Sequence, residues 1–208
     1  HLGASTEEAQ RNVALETAEQ VICVLRGEPP RYPVNAPPLS VEELIELSPH
    51  LELGELMGSF YAQIAAHNLN SLELSYSGDV AEKDTSLITA AVLKGLLARM
   101  VEEPVNRVNA MAIARERGWQ IVEKKSTAPE NFTNLVTLSV QTSAGERVVA
   151  GTVMWREPHI VRVDDYHLDF VARGHLLVSE HVEGPGIIGR VGTIVGEAGL
   201  NISFVQLG

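Results

Sequence analysis

Three glycines near the end of the chain, Gly184, Gly186 and Gly189, have the spacing of a dinucleotide-binding loop. Such a loop follows a strand, opens a helix and holds a pyrophosphate on backbone N–H groups, which would serve hydride transfer. Here Pro185 lies inside the loop at a predicted helix start, and no acidic residue follows a second strand. Close packing at a helix start explains these glycines more simply, so we do not predict a nucleotide site there.

Other side chains of reactive type lack the neighbours that their chemistry needs. Ser86 and Ser139 do not lie in a Gly-x-Ser-x-Gly turn, which argues against a hydrolase. Cys23 is the single cysteine and lies in an apolar helical stretch, so it predicts neither an internal disulfide nor a zinc cluster. The histidines without metal-ligand spacing are His50, His67 and His167. No metal site is predicted.

Composition limits the class of partner. The 208 residues contain 16 Lys plus Arg and 27 Asp plus Glu, for a formal charge of -11, so nucleic acid and anionic membranes are poor partners. No apolar stretch reaches the roughly 20 residues that span a bilayer, and no signal peptide is recognisable. The lone cysteine fits a cytoplasmic location, and a first residue other than Met suggests a fragment.

The first part of the chain is predicted to be helical. Ser5 to Glu8 has capping-box spacing, and apolar residues then recur every three or four positions until Arg26 and Gly27. Five prolines in residues 27–38 predict an extended linker. Beyond Ser40, two further helices are predicted up to residue 66.

Alternating patterns then predict strands among helices. Strands are expected at residues 70–77, 119–124, 135–142, 147–155, 159–163, 176–182 and 201–207. Helices are expected at residues 84–100, 105–117 and 186–198. The order predicts an α+β fold whose middle domain layers helices on an antiparallel sheet, followed by a strand-helix-strand unit that resembles half a domain.

The beginning of the chain, His1 to Gln10, resembles the end of the catalytic region in the phosphoglycerate dehydrogenase family. The resemblance implies that His1 is the catalytic acid-base residue and that Gly3 and Ala4 belong to the turn beside the NAD cofactor. In the family this histidine exchanges a proton with the substrate oxygen while nicotinamide accepts the hydride. The upstream carboxylate that would orient His1 is absent, so the fragment alone is expected to be inactive and to bind no cofactor.

The end of the chain, from Val182 to Ser203, resembles the start of an ACT domain, an amino-acid-sensing module of many such dehydrogenases, with a partial ferredoxin-like fold. In serine-sensitive members the effector lies between ACT domains of two subunits. The positions that match here are His181, Glu183, Gly184, Pro185, Gly186 and Asn201. The family commonly has aspartate where this chain has Glu183, and the backbone N–H groups at the helix start can hold a carboxylate.

Residues 40–170 resemble the intervening, allosteric substrate-binding domain of the longer dehydrogenases, which is shared with bacterial serine dehydratases. The resemblance rests on three short sequence segments: Tyr76-Ser77-Gly78, Val105 to Ala110, and Gly151-Thr152-Val153. In the family this domain binds a phosphate-bearing effector on basic side chains. The candidates here are Arg107, His159, Arg162 and Arg173, whose groups suit a doubly charged phosphate.

These observations predict three regions: residues 1–38, the last catalytic helix and linker; 39–173, the intervening domain; and 174–208, the first half of an ACT domain. The predicted function is a regulatory and assembly fragment of an NAD-dependent dehydrogenase that oxidises 3-phospho-D-glycerate and opens serine biosynthesis. L-serine and 3-phosphoglycerate or a similar anion are the expected effectors, in a dimer or tetramer. The alternatives are a freestanding ACT-type amino-acid sensor and the regulatory domain of a serine dehydratase.

Overall fold

The computed structural model of the chain describes residues 5–26, 41–65, 69–128, 130–142, 145–182 and 184–207. The described residues form five α-helices, one 3-10 turn and six strands. Contacts divide the chain into residues 1–48 and residues 49–208. The predicted α+β class is confirmed, and the predicted linker at residues 27–38 lies outside the described residues.

Helix α1, Glu7–Leu25, belongs to the first unit. The side-chain oxygen of Thr6 accepts a hydrogen bond from the backbone N–H of Ala9 at 3.2 Å, and Glu7 and Glu8 lie in the first turn. The helix is confirmed, but the capping residue is Thr6 rather than Ser5, because the chain enters the helix one residue later than the capping-box spacing suggested. No residue of α1 is buried.

Helix α2, Val41–Ile64, replaces the two helices predicted here. Pro49 lies inside it and has no N–H to donate to the carbonyl of Ile45. The hydroxyl of Ser48 donates to that same carbonyl oxygen at 2.9 Å. A side-chain donor thus replaces the missing backbone donor, which explains why the helix continues through the proline.

One six-stranded mixed sheet follows, with the order β2-β1-β3-β4-β5-β6. Four of the five strand pairs are antiparallel and only β1 and β2 run parallel, so the sheet is mixed, and the prediction of an antiparallel sheet is wrong at that one pair. The parallel pair needs a crossover, which α3 and α4 supply. The strands are β1 Ser71–Gly78, β2 Gln120–Ser126, β3 Asn134–Thr142, β4 Gly145–Met154, β5 Glu157–Val163 and β6 Tyr166–Phe170.

The core lies between one face of the sheet and the helices α2 and α3. Alternate residues of β1 and β3 are buried as cross-strand neighbours, for example Leu74 opposite Leu138. Helix α2 covers β4, since a side chain at Gly151 would meet Leu53, and it reaches β6 through the edge-to-face pair of Phe60 and Phe170 at 5.6 Å. This packing fixes the last strands against α2.

Helices α2 and α3, the latter Ser86–Leu97, approach closely at two glycines. A Cβ atom at Gly58 would overlap the carbonyl oxygen of Val92, and one at Gly95 would overlap the carbonyl oxygen of Glu55. Both glycines are buried, and both obstacles are backbone atoms of the facing helix. The two helices therefore depend on glycine at their crossing.

Two helices are shorter than predicted. Helix α3 ends at Leu97 rather than near Met100, and α4 spans Ala110–Glu116 rather than starting at Val105. Before α4, the Asn106 side chain accepts from the N–H groups of Val108 and Asn109, and the Asn109 side chain accepts from Asn106. These local bonds satisfy backbone donors outside a helix and hold the segment as a turn.

The 3-10 turn Asp79–Glu82 and strand β6 have no counterpart among the predicted elements. Strand β4 also ends one residue early, at Met154, because Trp155 and Arg156 form a two-residue turn with positive φ angles of 50° and 66°. Trp155 is 90% exposed. Left-handed backbone at both positions matches the twist of a tight hairpin.

The C-terminal region contains helix α5, Ile187–Glu197, close to the predicted range. Gly186 precedes it in the left-handed region at φ 84°, which glycine adopts without steric cost. Residues 176–182 and 201–207 carry no strand, contrary to the prediction. A strand is defined by hydrogen bonds to a neighbour, and within the described residues these two segments have not formed a ladder. The ACT-like architecture stays a prediction.

Tyr61 supplies a testable stability effect. It is 1% exposed, and its hydroxyl has no hydrogen-bond partner among the described residues. Burial raises the pKa of Tyr61 to about 12, with Arg147 lowering it and Asp164 raising it. Replacing Tyr61 by phenylalanine removes a buried unsatisfied group, so we expect the free energy of unfolding at neutral pH to rise by about 1 kcal/mol.

The same pKa predicts a pH dependence. Above pH 10 the unfolded chain releases the tyrosine proton while the folded chain keeps it, so this contribution to stability falls as pH rises from about 10 to about 12. Tyr61→Phe should flatten that decline, as measured by urea unfolding at neutral and alkaline pH. Tyr166→Phe, at an exposed side chain, is the control. An equal alkaline decline in Tyr61→Phe and in the unaltered chain would contradict the assignment.

Candidate functional site

Arg173 connects helix α2, strand β5 and the segment that follows β6. Its Nη1 donates to the Glu157 carboxylate at 3.3 Å, and its Nη2 donates to the Glu52 carboxylate. Glu157 begins β5, Glu52 lies on α2, and Arg173 follows the end of β6. Each of the three side chains is about half exposed. The guanidinium thus joins the exit of the last strand to a helix and a neighbouring strand.

His159 lies beside this contact on β5. Its Nδ1 is 2.7 Å from the Asp169 carboxylate of β6, and its Nε2 is 3.9 Å from the Glu157 carboxylate. The side chain is only 13% exposed, and Nε2 is buried with no hydrogen-bond partner among the described residues. We define the Arg173 cluster as Glu52, Glu157, His159, Asp169 and Arg173.

A second ion cluster lies one turn further along α2. Lys94 Nζ and Arg107 Nε each lie 2.7 Å from an oxygen of the Glu55 carboxylate. Burial raises the pKa of Glu55, but the hydrogen bonds and charges of Lys94 and Arg107 outweigh it and hold that pKa below its ordinary value. Because Glu52 and Glu55 are three residues apart on one helix, they lie on neighbouring positions of its surface.

Arg162 has a different environment from the other predicted anion ligands. Its Nε donates to the Asp164 backbone oxygen at 2.6 Å. The Asp164 carboxylate pairs with Arg147 at 2.9 Å and accepts from the Val148 N–H at 2.9 Å. Asp164 has a positive φ of 51° in the turn after β5. Arg162 therefore braces the turn between β5 and β6.

The predicted effector residues near α5 that the structure describes are exposed. His181 Nδ1 lies 3.3 Å from the Val182 carbonyl oxygen, Gly184 to Gly186 lead into the helix, and Asn201 follows it. Among the described residues, no side chain caps the start of α5. Glu183 and the predicted catalytic and cofactor residues His1, Gly3 and Ala4 lie outside the described residues.

Arg107, His159 and Arg173 were identified from the sequence, but Lys94 was not, and neither were the acidic partners Glu52, Glu55, Glu157 and Asp169. The spacing of Glu52 and Glu55 on a predicted helix was the one available signal, and such acids commonly face solvent. In the part of the chain that the structure describes, no group of three or more His, Cys, Asp or Glu could hold a metal ion. No described helix is long and apolar enough to cross a membrane.

Comparison with known proteins identifies the family. Residues 46–164 match the model of the D-3-phosphoglycerate dehydrogenase intervening domain. The chain belongs to this family. The D-3-phosphoglycerate dehydrogenase of Methanocaldococcus jannaschii is 38% identical over 208 residues, and the Synechocystis and Bacillus subtilis proteins of the same name are 37% and 34% identical over 210 and 212 residues. The family resemblance stated from the sequence is confirmed.

These alignments cover 100% of the chain, but only 40%, 38% and 40% of the three relatives. The chain therefore spans about two fifths of the length of the dehydrogenases that it matches. The matched family model includes Glu52, Glu55, Lys94, Arg107, Glu157, His159 and Arg162. Arg173 and the predicted serine-binding residues follow the matched range.

Proposed function

We propose that the chain is the regulatory and assembly part of an NAD-dependent D-3-phosphoglycerate dehydrogenase, which oxidises 3-phospho-D-glycerate to 3-phosphooxypyruvate and opens L-serine biosynthesis. The observation that carries this proposal is the alignment of the whole chain with two fifths of dehydrogenases of that name. The hydride transfer and NAD binding belong to the whole protein, and the chain alone is inactive. A cytoplasmic location is part of the proposal, supported by the single cysteine.

The second element of the proposal is serine binding at the start of α5. The helix of 11 residues follows Gly186 and has no side-chain cap from the described residues, which leaves its first N–H groups available to a carboxylate, and Asn201 offers an amide just after the helix ends. His181 and Glu183 complete the predicted set. The Glu183 carboxylate suits the ammonium group of an amino acid, and the His181 imidazole can form a hydrogen bond with a hydroxyl group.

Calorimetric titration with L-serine tests this element. Asn201→Ala should weaken binding by roughly tenfold, as expected for the loss of one hydrogen bond to a polar ligand. Asn131→Ala removes a similar amide from an exposed position and is the matched control. Equal heats for Asn201→Ala and the unaltered chain would remove Asn201 from the site.

The third element is binding of 3-phosphoglycerate or a similar anion by Arg107, His159, Arg162 and Arg173. The support is the position of two side chains. The Arg173 guanidinium offers two N–H donors that a phosphate could take from the Glu52 and Glu157 carboxylates, and Nε2 of His159 lies 3.9 Å from Glu157. Arg107 forms an ion pair with Glu55 in the second ion cluster, and Arg162 donates to the Asp164 backbone oxygen in the turn between β5 and β6. Arg173 and His159 are therefore the pair that best supports the proposed site.

Assembly is the last element. The exposed apolar side chains of the C-terminal region favour a homodimer or tetramer formed through it. They include Leu177, Val182, Ile188, Ile194, Leu200 and Phe204. Light scattering coupled to size exclusion measures the mass directly. A monomer at all concentrations would contradict this element while leaving the family membership untouched.

A further inference from the structure

The charge of the Arg173 cluster limits how it can accept an anion. Glu52, Glu157 and Asp169 contribute three negative charges, and Arg173 contributes one positive charge. These four side chains therefore carry an excess of two negative charges. A phosphate dianion would be repelled by such a group unless carboxylates leave as it enters. Binding at Arg173 must therefore be an exchange of partners rather than an addition.

The position of Arg173 makes that exchange consequential. Gly174 follows directly, in the left-handed region at φ 72°, and a Cβ atom there would meet nothing within 4 Å. Residues 175–182 are exposed, and α5 buries none of its side chains. Within the described residues, Arg173 is the last charged side chain along the chain that forms an ion pair with α2 or the sheet. Its contacts thus hold the point where the chain leaves the sheet.

His159 lies beside the carboxylate that an incoming anion would replace. Its Nδ1 is engaged by Asp169, while its buried Nε2 faces the Glu157 carboxylate at 3.9 Å, beyond hydrogen-bond distance. Of the two carboxylates that pair with Arg173, Glu157 forms the longer contact, at 3.3 Å, and Glu52 the shorter one. A phosphate that replaces Glu157 would accept from the guanidinium, and it would also accept from Nε2 when the ring carries a proton on both nitrogens, because Nδ1–H already donates to the Asp169 carboxylate.

We propose that Glu52, Arg173 and Glu157 form a clasp that closes the exit from β6, and that a phosphate-bearing ligand opens it by taking Arg173 from the two carboxylates. This inference rests on the proposed anion binding and adds its consequence. In the ligand-free chain the guanidinium is occupied by the protein's own acids. Phosphate releases the segment that begins at Gly174 and leads to α5. Anion binding beside the sheet thereby changes how the region of α5 is held.

Trypsin provides a direct assay, because cleavage of the Arg173–Gly174 bond requires the Arg173 side chain to leave its carboxylates and enter the protease. The internal reference is cleavage at the exposed Arg117, which precedes Gly118. Two half-exposed ion pairs are worth little individually, so we expect about fivefold faster relative cleavage at Arg173 when they are removed. Inorganic phosphate is the probe, with chloride at equal ionic strength as control.

The test compares the full chain with Glu52→Gln/Glu157→Gln and with the charge-matched control Glu102→Gln/Glu103→Gln. The clasp variant should be cleaved faster at Arg173 without phosphate, whereas the control should behave as the unaltered chain. Phosphate should accelerate cleavage at Arg173 in the unaltered chain and add little in the clasp variant. Circular dichroism melting of each variant separates local opening from a loss of folding.

Each outcome is decisive. Equal relative cleavage in the clasp variant and the unaltered chain overturns the clasp whether or not phosphate binds. If calorimetry detects phosphate binding that does not alter cleavage, opening by anions is wrong although the proposed anion site stands. If calorimetry detects no phosphate binding to either protein, the proposed anion site and its role in opening fall together, while faster cleavage of the clasp variant would still establish the ligand-free ion-pair clasp.

Discussion

Replacing Gly95 by alanine should lower the free energy of unfolding by about 3 kcal/mol or more. The new methyl group would overlap the Glu55 carbonyl oxygen and lie 2.8 Å from the Ser59 backbone nitrogen, both on α2. A side chain could rotate away from such a clash, but these atoms belong to the backbone of a helix packed on the sheet. Relief requires α2 and α3 to separate, which would open the core on both sides.

Gly58→Ala makes the reciprocal test, because its Cβ would overlap the Val92 carbonyl oxygen and lie 2.8 Å from the Leu96 nitrogen on α3. The matched control is Gly189→Ala in α5, where nothing lies within 4 Å and alanine improves helix propensity. Urea unfolding monitored by circular dichroism gives the comparison. A loss below about 1 kcal/mol for Gly95→Ala would contradict the close approach of α2 and α3 at this glycine.

Replacing Thr89 by valine should cost about 2 kcal/mol, the second large effect. Thr89 donates to the Glu123 carboxylate at 2.5 Å, so its single hydroxyl proton is used, and it accepts from the Tyr76 hydroxyl at 2.7 Å. Tyr76 is completely buried, and burial raises the pKa of its hydroxyl, which keeps it a neutral donor. Valine preserves the shape of Thr89 but leaves Tyr76 without this acceptor.

The control for that substitution is Thr193→Val in α5, where the hydroxyl donates to the Gly189 backbone oxygen at an exposed position. Water can replace this bond, so we expect little change in stability. The double variant Tyr76→Phe/Thr89→Val should recover part of the loss, because removing both partners leaves fewer unsatisfied groups. A double variant less stable than Thr89→Val alone would contradict the proposed hydrogen-bond pairing.

Hydrophobic periodicity and capping residues predicted most of the helices and strands. The wrong predictions have identifiable physical causes. The continuation of α2 through Pro49 depends on one hydroxyl, from Ser48, whose direction a sequence does not reveal. The shortened α4 depends on side-chain bonds of Asn106 and Asn109. The parallel pairing of β1 with β2 could not be inferred, because alternation marks a strand but does not identify its neighbour.

For the two ion clusters, the residue types could be predicted from the sequence, but the contacts between residues far apart in the chain could not. Cations suited to phosphate were recognisable from their type, and the fold brings Arg107 and Arg173 to one turn of α2 although many residues separate them in sequence. Their acidic partners were not predicted, since Glu52 on α2 and Glu157 on β5 both reach Arg173 only in the folded chain. Charge type was thus predictable, whereas charge pairing required the fold.

The place of β1 within the sheet has a consequence for synthesis. Both of its neighbours, β2 and β3, are encoded after it, so β1 leaves the ribosome with neither edge paired. Helices α2 and α3 emerge on either side of β1 and can pack through Gly58 and Gly95 before any ladder exists. During synthesis the chain can therefore carry β1 as an unpaired strand beside a packed helical pair, and β1 then has two edges open to wrong pairing until β3 is made.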